Sequence, residues 1–165
     1  MEMTVRTTFP TSVSAAAKSA AARDYAQRGW TVAETTNGLC LITDADLSAV
    51  EVTGELAASV RRYLRANNLT GPVIEIPGAE RREIHLVTGM RKAERAVEAL
   101  RAAGAVVHTD GDGIPLPPTH LSAGSASWGV DPEEARWIPP VVAIGAAVRS
   151  VRARRPQRLA SVACA

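Results

Sequence analysis

Aromatic residues are scarce in this chain, 4% of 165 positions: Phe9, Tyr25, Trp30, Tyr63, Trp128 and Trp137. So few rings exclude a surface that stacks several bases, and any contact with nucleic acid has to be mainly electrostatic. Cysteine is scarcer still. Cys40 lies inside an apolar run and Cys164 near the end of the sequence, which predicts no structural disulfide, offers no zinc spacing, and points to a reducing, cytoplasmic compartment. No stretch reaches 18 uninterrupted apolar residues, and the first 30 lack a charged start followed by a long apolar block, so neither membrane insertion nor secretion is expected. Lysine is nearly missing, since 17 of the 19 basic residues are arginine; together with the abundance of alanine, this reads first as GC-rich codon usage.

What remains is ample for one core. Apolar residues make up 46% of the chain and charged residues 22%, which fits one globular domain. The net charge of +2 is unevenly spread. Arg149, Arg152, Arg154, Arg155 and Arg158 fall in the last 17 residues without an acid, leaving 14 basic against 17 acidic groups before them. The expected organisation is a flexible N-terminus over 1–11, a domain over 12–148 and a basic tail over 149–165.

The Ala-rich stretch 12–28, with Ser12 or Ser14 as N-cap and Gly29 at its end, predicts a first helix. Asn37-Gly38 predicts a hairpin between Thr31–Glu34 and Leu39–Thr43. Leu56, Val60, Tyr63 and Leu64 mark a helix over about 54–67, and Ala93, Ala96, Val97, Leu100 and Ala103 another over about 91–103. Pro72–Ile76 and Glu83–Thr88 read as an antiparallel strand pair, and Ala105–Thr109 as a further strand. From Leu39 to Thr109 the order is β-α-β-β-α-β, so the expected fold is α+β, ferredoxin-like or RNA-recognition-like: one four-stranded sheet with two helices on one face. Ile114–Leu116 can extend that sheet, 119–140 reads as irregular, and Val141 to about Arg154 as a last helix.

Three sets of residues could carry chemistry. Asp44 and Asp46 stand two apart at the end of a predicted strand, where they could share a face and hold a divalent cation, or serve as turn and helix-capping residues. His85 alternates with Ile84 and Leu86, which places it on the open face if the helices cover the isoleucine side. There, with Arg81 or Arg82 nearby, it could donate to phosphate oxygens, or simply pair with Glu83. Arg149, Arg152, Arg154 and Arg155 could contact DNA phosphates or form a solvated helix end. Asp110 and Asp112 alternate with glycine and read as a tight turn. The sequence contains no Walker-type phosphate loop, no nucleophile elbow and no dinucleotide fingerprint.

Three segments together resemble the bifunctional DNA primase/polymerase N-terminal domain of the archaeo-eukaryotic primase superfamily. Ala22-Arg23-Asp24-Tyr25-Ala26-Gln27-Arg28-Gly29-Trp30-Thr31-Val32 is similar to that family's opening helix and strand. Asn37-Gly38-Leu39-Cys40-Leu41-Ile42-Thr43-Asp44-Ala45-Asp46 resembles its metal motif with one extra residue. Asp110-Gly111-Asp112-Gly113 with Pro117-Pro118-Thr119 and Ser127-Trp128 resembles its third motif. The resemblance implies that Asp44 and Asp46 are catalytic ligands of Mg2+ or Mn2+, and that His85 is both catalytic and nucleotide-binding, with Arg81 and Arg82 beside it. Implied partners are DNA, nucleoside triphosphates and replication proteins, with no membrane. Val106 stands where the family's third metal acid belongs, Glu83 replaces a small residue, and the zinc-binding insert is missing, so no zinc is expected.

The expected function is a shortened, catalytically weakened or inactive primase/polymerase relative acting in DNA replication or mobile-element maintenance. Two other readings stay open: an active metal-dependent nucleotidyltransferase, and a ferredoxin-like protein-interaction or small-ligand-binding module unrelated to nucleotidyl transfer.

Overall fold

Ser14 caps the first helix, α1 (Ala15–Gln27), by accepting the Ala17 amide at 3.2 Å. The computed structural model of the chain describes residues 13–154, so the proposed N-terminal arm 1–11, Cys164, Arg155 and the rest of the tail beyond Arg154 lie outside the described residues. After α1, strands β1 (Val32–Thr35) and β2 (Gly38–Ile42) form the hairpin that Asn37-Gly38 predicts, Thr35 opposite Gly38 and Val32 opposite Leu41. The chain continues through β3 (Ser48–Thr53), α2 (Gly54–Ala66), β4 (Val73–Ile76) and β5 (Arg82–Val87). A 3-10 turn over Met90–Lys92 then leads into α3 (Glu94–Ala102) and β6 (Val106–His108). The last elements are β7 (Gly113–Leu116), β8 (Thr119–Leu121), β9 (Gly124–Val130), α4 (Pro132–Ala135) and α5 (Val141–Arg154).

The strands make two antiparallel sheets: six strands in the order β6-β3-β5-β4-β9-β8, and three in the order β1-β2-β7. The fold is therefore α+β. Both faces of the larger sheet are covered. On one face Val50, Val52 and Val87 pack beneath α2, α3 and α5, with Val60, Leu64, Leu100 and Ile144 completing that core. On the other, Ala49, Ile74, Ile84 and Leu86 meet Leu39, Leu41, Ile114 and Leu116 of the small sheet, and Tyr25 of α1. Each fully buried aliphatic side chain contributes about 1.5–3 kcal/mol. Within the helical layer α5 touches both α2 and α3.

Gly54 joins β3 directly to α2 at φ +56°, a left-handed conformation that glycine adopts without penalty. A Cβ there would also lie 2.8 Å from Glu80 Oε1.

Three expectations change. Leu39–Thr43 does not open the larger sheet; it is the centre of the small one, and the strand ahead of α2 is Ser48–Thr53 instead. That strand is hard to read because Ser48 and Glu51 interrupt its apolar run although both are buried. Ile114–Leu116 likewise pairs with β2, giving two sheets in place of one of four strands, and three helices cover the larger sheet instead of two. Residues 119–140 hold two strands and a helical turn where irregular chain was expected. Arg149, Arg152 and Arg154 lie on α5, within the last helix expected over Val141 to about Arg154.

Candidate functional site

Asp44 and Asp46 sit in the exposed turn between β2 and β3. The Asp44 carboxylate Oδ1 accepts the Asp46 and Leu47 amides, both at 2.8 Å, and the Ser48 hydroxyl reaches the Asp44 carbonyl at 3.4 Å. This is turn capping, which engages Oδ1 of Asp44 with two backbone donors. Among the described residues no three His, Cys, Asp or Glu side chains gather as a ligand group. A hard divalent cation takes six or more oxygens, so two carboxylates here would leave most of its ligands to water or substrate. Val106 is 51% exposed on the edge strand β6, opposite Glu51 in register, and supplies no oxygen. Asp110 is ion-paired with Arg91 at 3.0 Å, and the hydrogen bond from Arg91 holds its carboxyl below the ordinary range.

His85 is not on an open face. It lies opposite Val50 and Val73 at the centre of the larger sheet, 2% exposed, on the helical side. Alternation correctly separates Ile84 and Leu86 from Glu83, His85 and Val87, but it does not say which group meets the helices. Here the small sheet covers the apolar pair and the helices cover the polar one. His85, Asp44 and Asp46 therefore form no common site.

Beneath α2 the structure gathers a different group. Glu83, 1% exposed, meets Arg61 Nη2 at 2.5 Å and Arg81 Nε at 3.2 Å through Oε1. The same two arginines pair with Glu75, Arg61 at 2.8 Å. Burial raises the Glu75 carboxyl, but the hydrogen bonds from Arg81 and Arg61 outweigh that and hold it below the usual carboxylate range. Glu83 Oε2 faces His85 Nε2 at 3.4 Å, and neither atom has a hydrogen-bond partner among the described residues. A groove of about 290 Å3 opens over Glu83, rimmed by Arg61, Arg62, Arg65 and Arg81. Arg81 thus belongs with the carboxylates and not with an exposed histidine.

Arg82 points to the opposite face. Its Nε donates to Glu51 Oε1 at 2.7 Å, and His108 Nε2 lies 3.2 Å from Glu51 Oε2. For Glu51, burial is the largest single influence and works against ionisation, yet Arg82 and His108 together hold its carboxyl below the ordinary value. Arg61, Glu75, Glu51 and His108 were not nominated from sequence. The available signal is an acid flanked by β-formers, Val50-Glu51-Val52 and Ile74-Glu75-Ile76, since a carboxylate inside a strand covered on both faces needs a cationic partner.

The resemblance segments do converge, though not on chemistry. Tyr25 stacks on Trp30 with ring centroids 5.6 Å apart and meets Trp128 edge-on at 6.1 Å. Its hydroxyl donates to the Pro117 carbonyl at 2.5 Å and accepts from Trp128 Nε1 at 3.2 Å. The second segment pairs with the third as Leu39 opposite Leu116 and Leu41 opposite Ile114.

Of the arginines nominated for DNA, Arg149 lines an open groove between α3 and α5, and Arg152 Nη2 reaches the Ala102 carbonyl at 3.5 Å. Arg154 is exposed at the end of α5. Among the described residues no helix is long and apolar enough to cross a membrane. Comparison with family models, with curated proteins and with solved structures returns no match.

Proposed function

We propose that this chain is a catalytically weakened or inactive relative of the DNA primase/polymerase domains, a cytoplasmic protein acting through DNA in replication or mobile-element maintenance. The consecutive elements β3-α2-β4-β5-α3-β6, whose strands lie side by side as β6-β3-β5-β4, are read as its ferredoxin-like core. One observation carries the reading: segments up to about a hundred residues apart that resemble the family meet as a single packing unit, Tyr25, Trp30, Pro117 and Trp128, while Asp44 is committed to capping backbone amides. Scaffold kinship and loss of the metal chemistry are then two sides of one arrangement.

Calorimetric titration with Mg2+ and Mn2+, alongside extension of a primed template, tests this. The expected result is no saturable metal heat and no extension, with Asp44→Ala changing neither. Metal-dependent extension that Asp44→Ala abolishes would overturn the inactive reading in favour of a working nucleotidyltransferase. A gel shift should show DNA binding at low salt that falls steeply as salt rises.

A further inference from the structure

The α3–α5 groove has a volume of about 760 Å3 and is lined by four cations, Arg91, Lys92, Arg95 and Arg149, against one acid, Glu94; Arg91 is already paired with Asp110, which leaves Lys92, Arg95 and Arg149. The cations come from two segments some fifty residues apart, so no single run of sequence announces the site. Small residues bring the helices close: a Cβ on Gly145 of α5 would lie 3.0 Å from the Ala96 Cβ of α3. The same space seats Arg149, whose Nη1 would lie 3.4 Å from that Cβ, so its guanidinium folds back along α5 over the crossing. Helix α5 itself carries no acid.

The α3 N-terminus opens into this groove with Ala93 at the cap position and no side-chain cap hydrogen bond. Its first amides therefore lack the oxygen acceptor that Ser, Thr or Asp would supply, while the helix dipole favours negative charge there. An uncapped N-terminus beside Lys92, Arg95 and Arg149 suits a phosphate. At the far end of α3, Arg152 lies over the Ala102 carbonyl. The nine residues of α3 span roughly 13 Å, which corresponds to about four nucleotide steps along one strand of a duplex, more than a mononucleotide would cover.

We propose that this groove is the DNA-binding surface, holding phosphodiester groups of one strand between α3 and α5, with Arg95 and Arg149 as its opposed contacts. The proposal rests on the reading of the chain as a DNA-binding primase/polymerase relative, and it moves the contact surface to the helical layer, away from the Asp44 turn.

The test is fluorescence anisotropy of a short labelled duplex titrated with the full chain across a salt series. Arg95→Glu combined with Arg149→Glu should weaken binding at least tenfold and reduce the slope of log affinity against log salt by about 2. Lys18→Glu with Arg23→Glu, the same charge change on α1 in the opposite layer, should cost no more than about threefold. Arg95→Gln with Arg149→Gln, checked by thermal melting, guards against a folding defect and should show the same ordering. If the wild-type chain binds and the groove variants bind as well as the α1 variant does, the groove is wrong and DNA binding stands. If the wild-type chain fails to bind at low salt, both the groove and the DNA reading fall.

Discussion

Two assemblies of the same three residue types sit back to back on the larger sheet. On the helical face Glu83 is held by Arg61 and Arg81 and faces His85; on the other, Glu51 is held by Arg82 and faces His108. They differ in completion. Both Glu51 oxygens have partners and Arg82 is half exposed, whereas Glu83 and His85 are sealed and leave Oε2 and Nε2 facing each other without a hydrogen bond. Residue type alone says little about chemistry; partner exposure and the geometry of the last hydrogen bond separate a fully hydrogen-bonded carboxylate from one dependent on its guanidinium.

That contrast can be broken by mutation. The largest effect belongs to Arg61→Ala, which removes the nearest guanidinium from a carboxylate only 1% exposed and should destabilise by about 3 kcal/mol or more in urea unfolding. Adding Glu83→Gln should recover much of that loss, because the stranded charge goes with it. Next comes Glu51→Gln, at about 1–2 kcal/mol near neutral pH. Glu51 is held below its unfolded value, so its contribution is full above about pH 4.3 and disappears as pH falls through the folded value. Unfolding free energy measured from pH 6 to pH 2 should therefore fall less in Glu51→Gln than in the parent, with Glu75 supplying part of the remaining slope. The smallest effect belongs to Arg82→Ala, at about 1 kcal/mol or less, because its side chain is 45% exposed and solvent screens the pair. An Arg82→Ala loss equal to that of Arg61→Ala would erase the distinction between the faces.

The hairpin, the β4–β5 pair, α2, α3 and α5 are all legible from periodicity and stop signals, since their buried positions repeat at the period of their own structure. Strand β3 is not, because a strand buried on both faces needs no alternation and this one includes Ser48 and Glu51. The site was less legible than the fold. His85 and its neighbours were sorted correctly into two sets, but which set the helices cover depends on the small sheet, built from residues 32–42 and 113–116. The Asp44–Asp46 spacing suits a turn cap more readily than a metal pair, and the Leu47 amide shows Asp44 Oδ1 in the capping role.

Helix α5 lies between α2 and α3 and supplies Val141, Ile144, Ala147 and Val148 to the core they share. On a ribosome, residues 54–102 leave the tunnel with their apolar stripes turned toward a slot that nothing yet fills. Until residues 141–154 follow, the nascent chain can build the sheet but has only α2 and α3 over its helical side, with the slot between them open, and this interval is when chaperones would engage it.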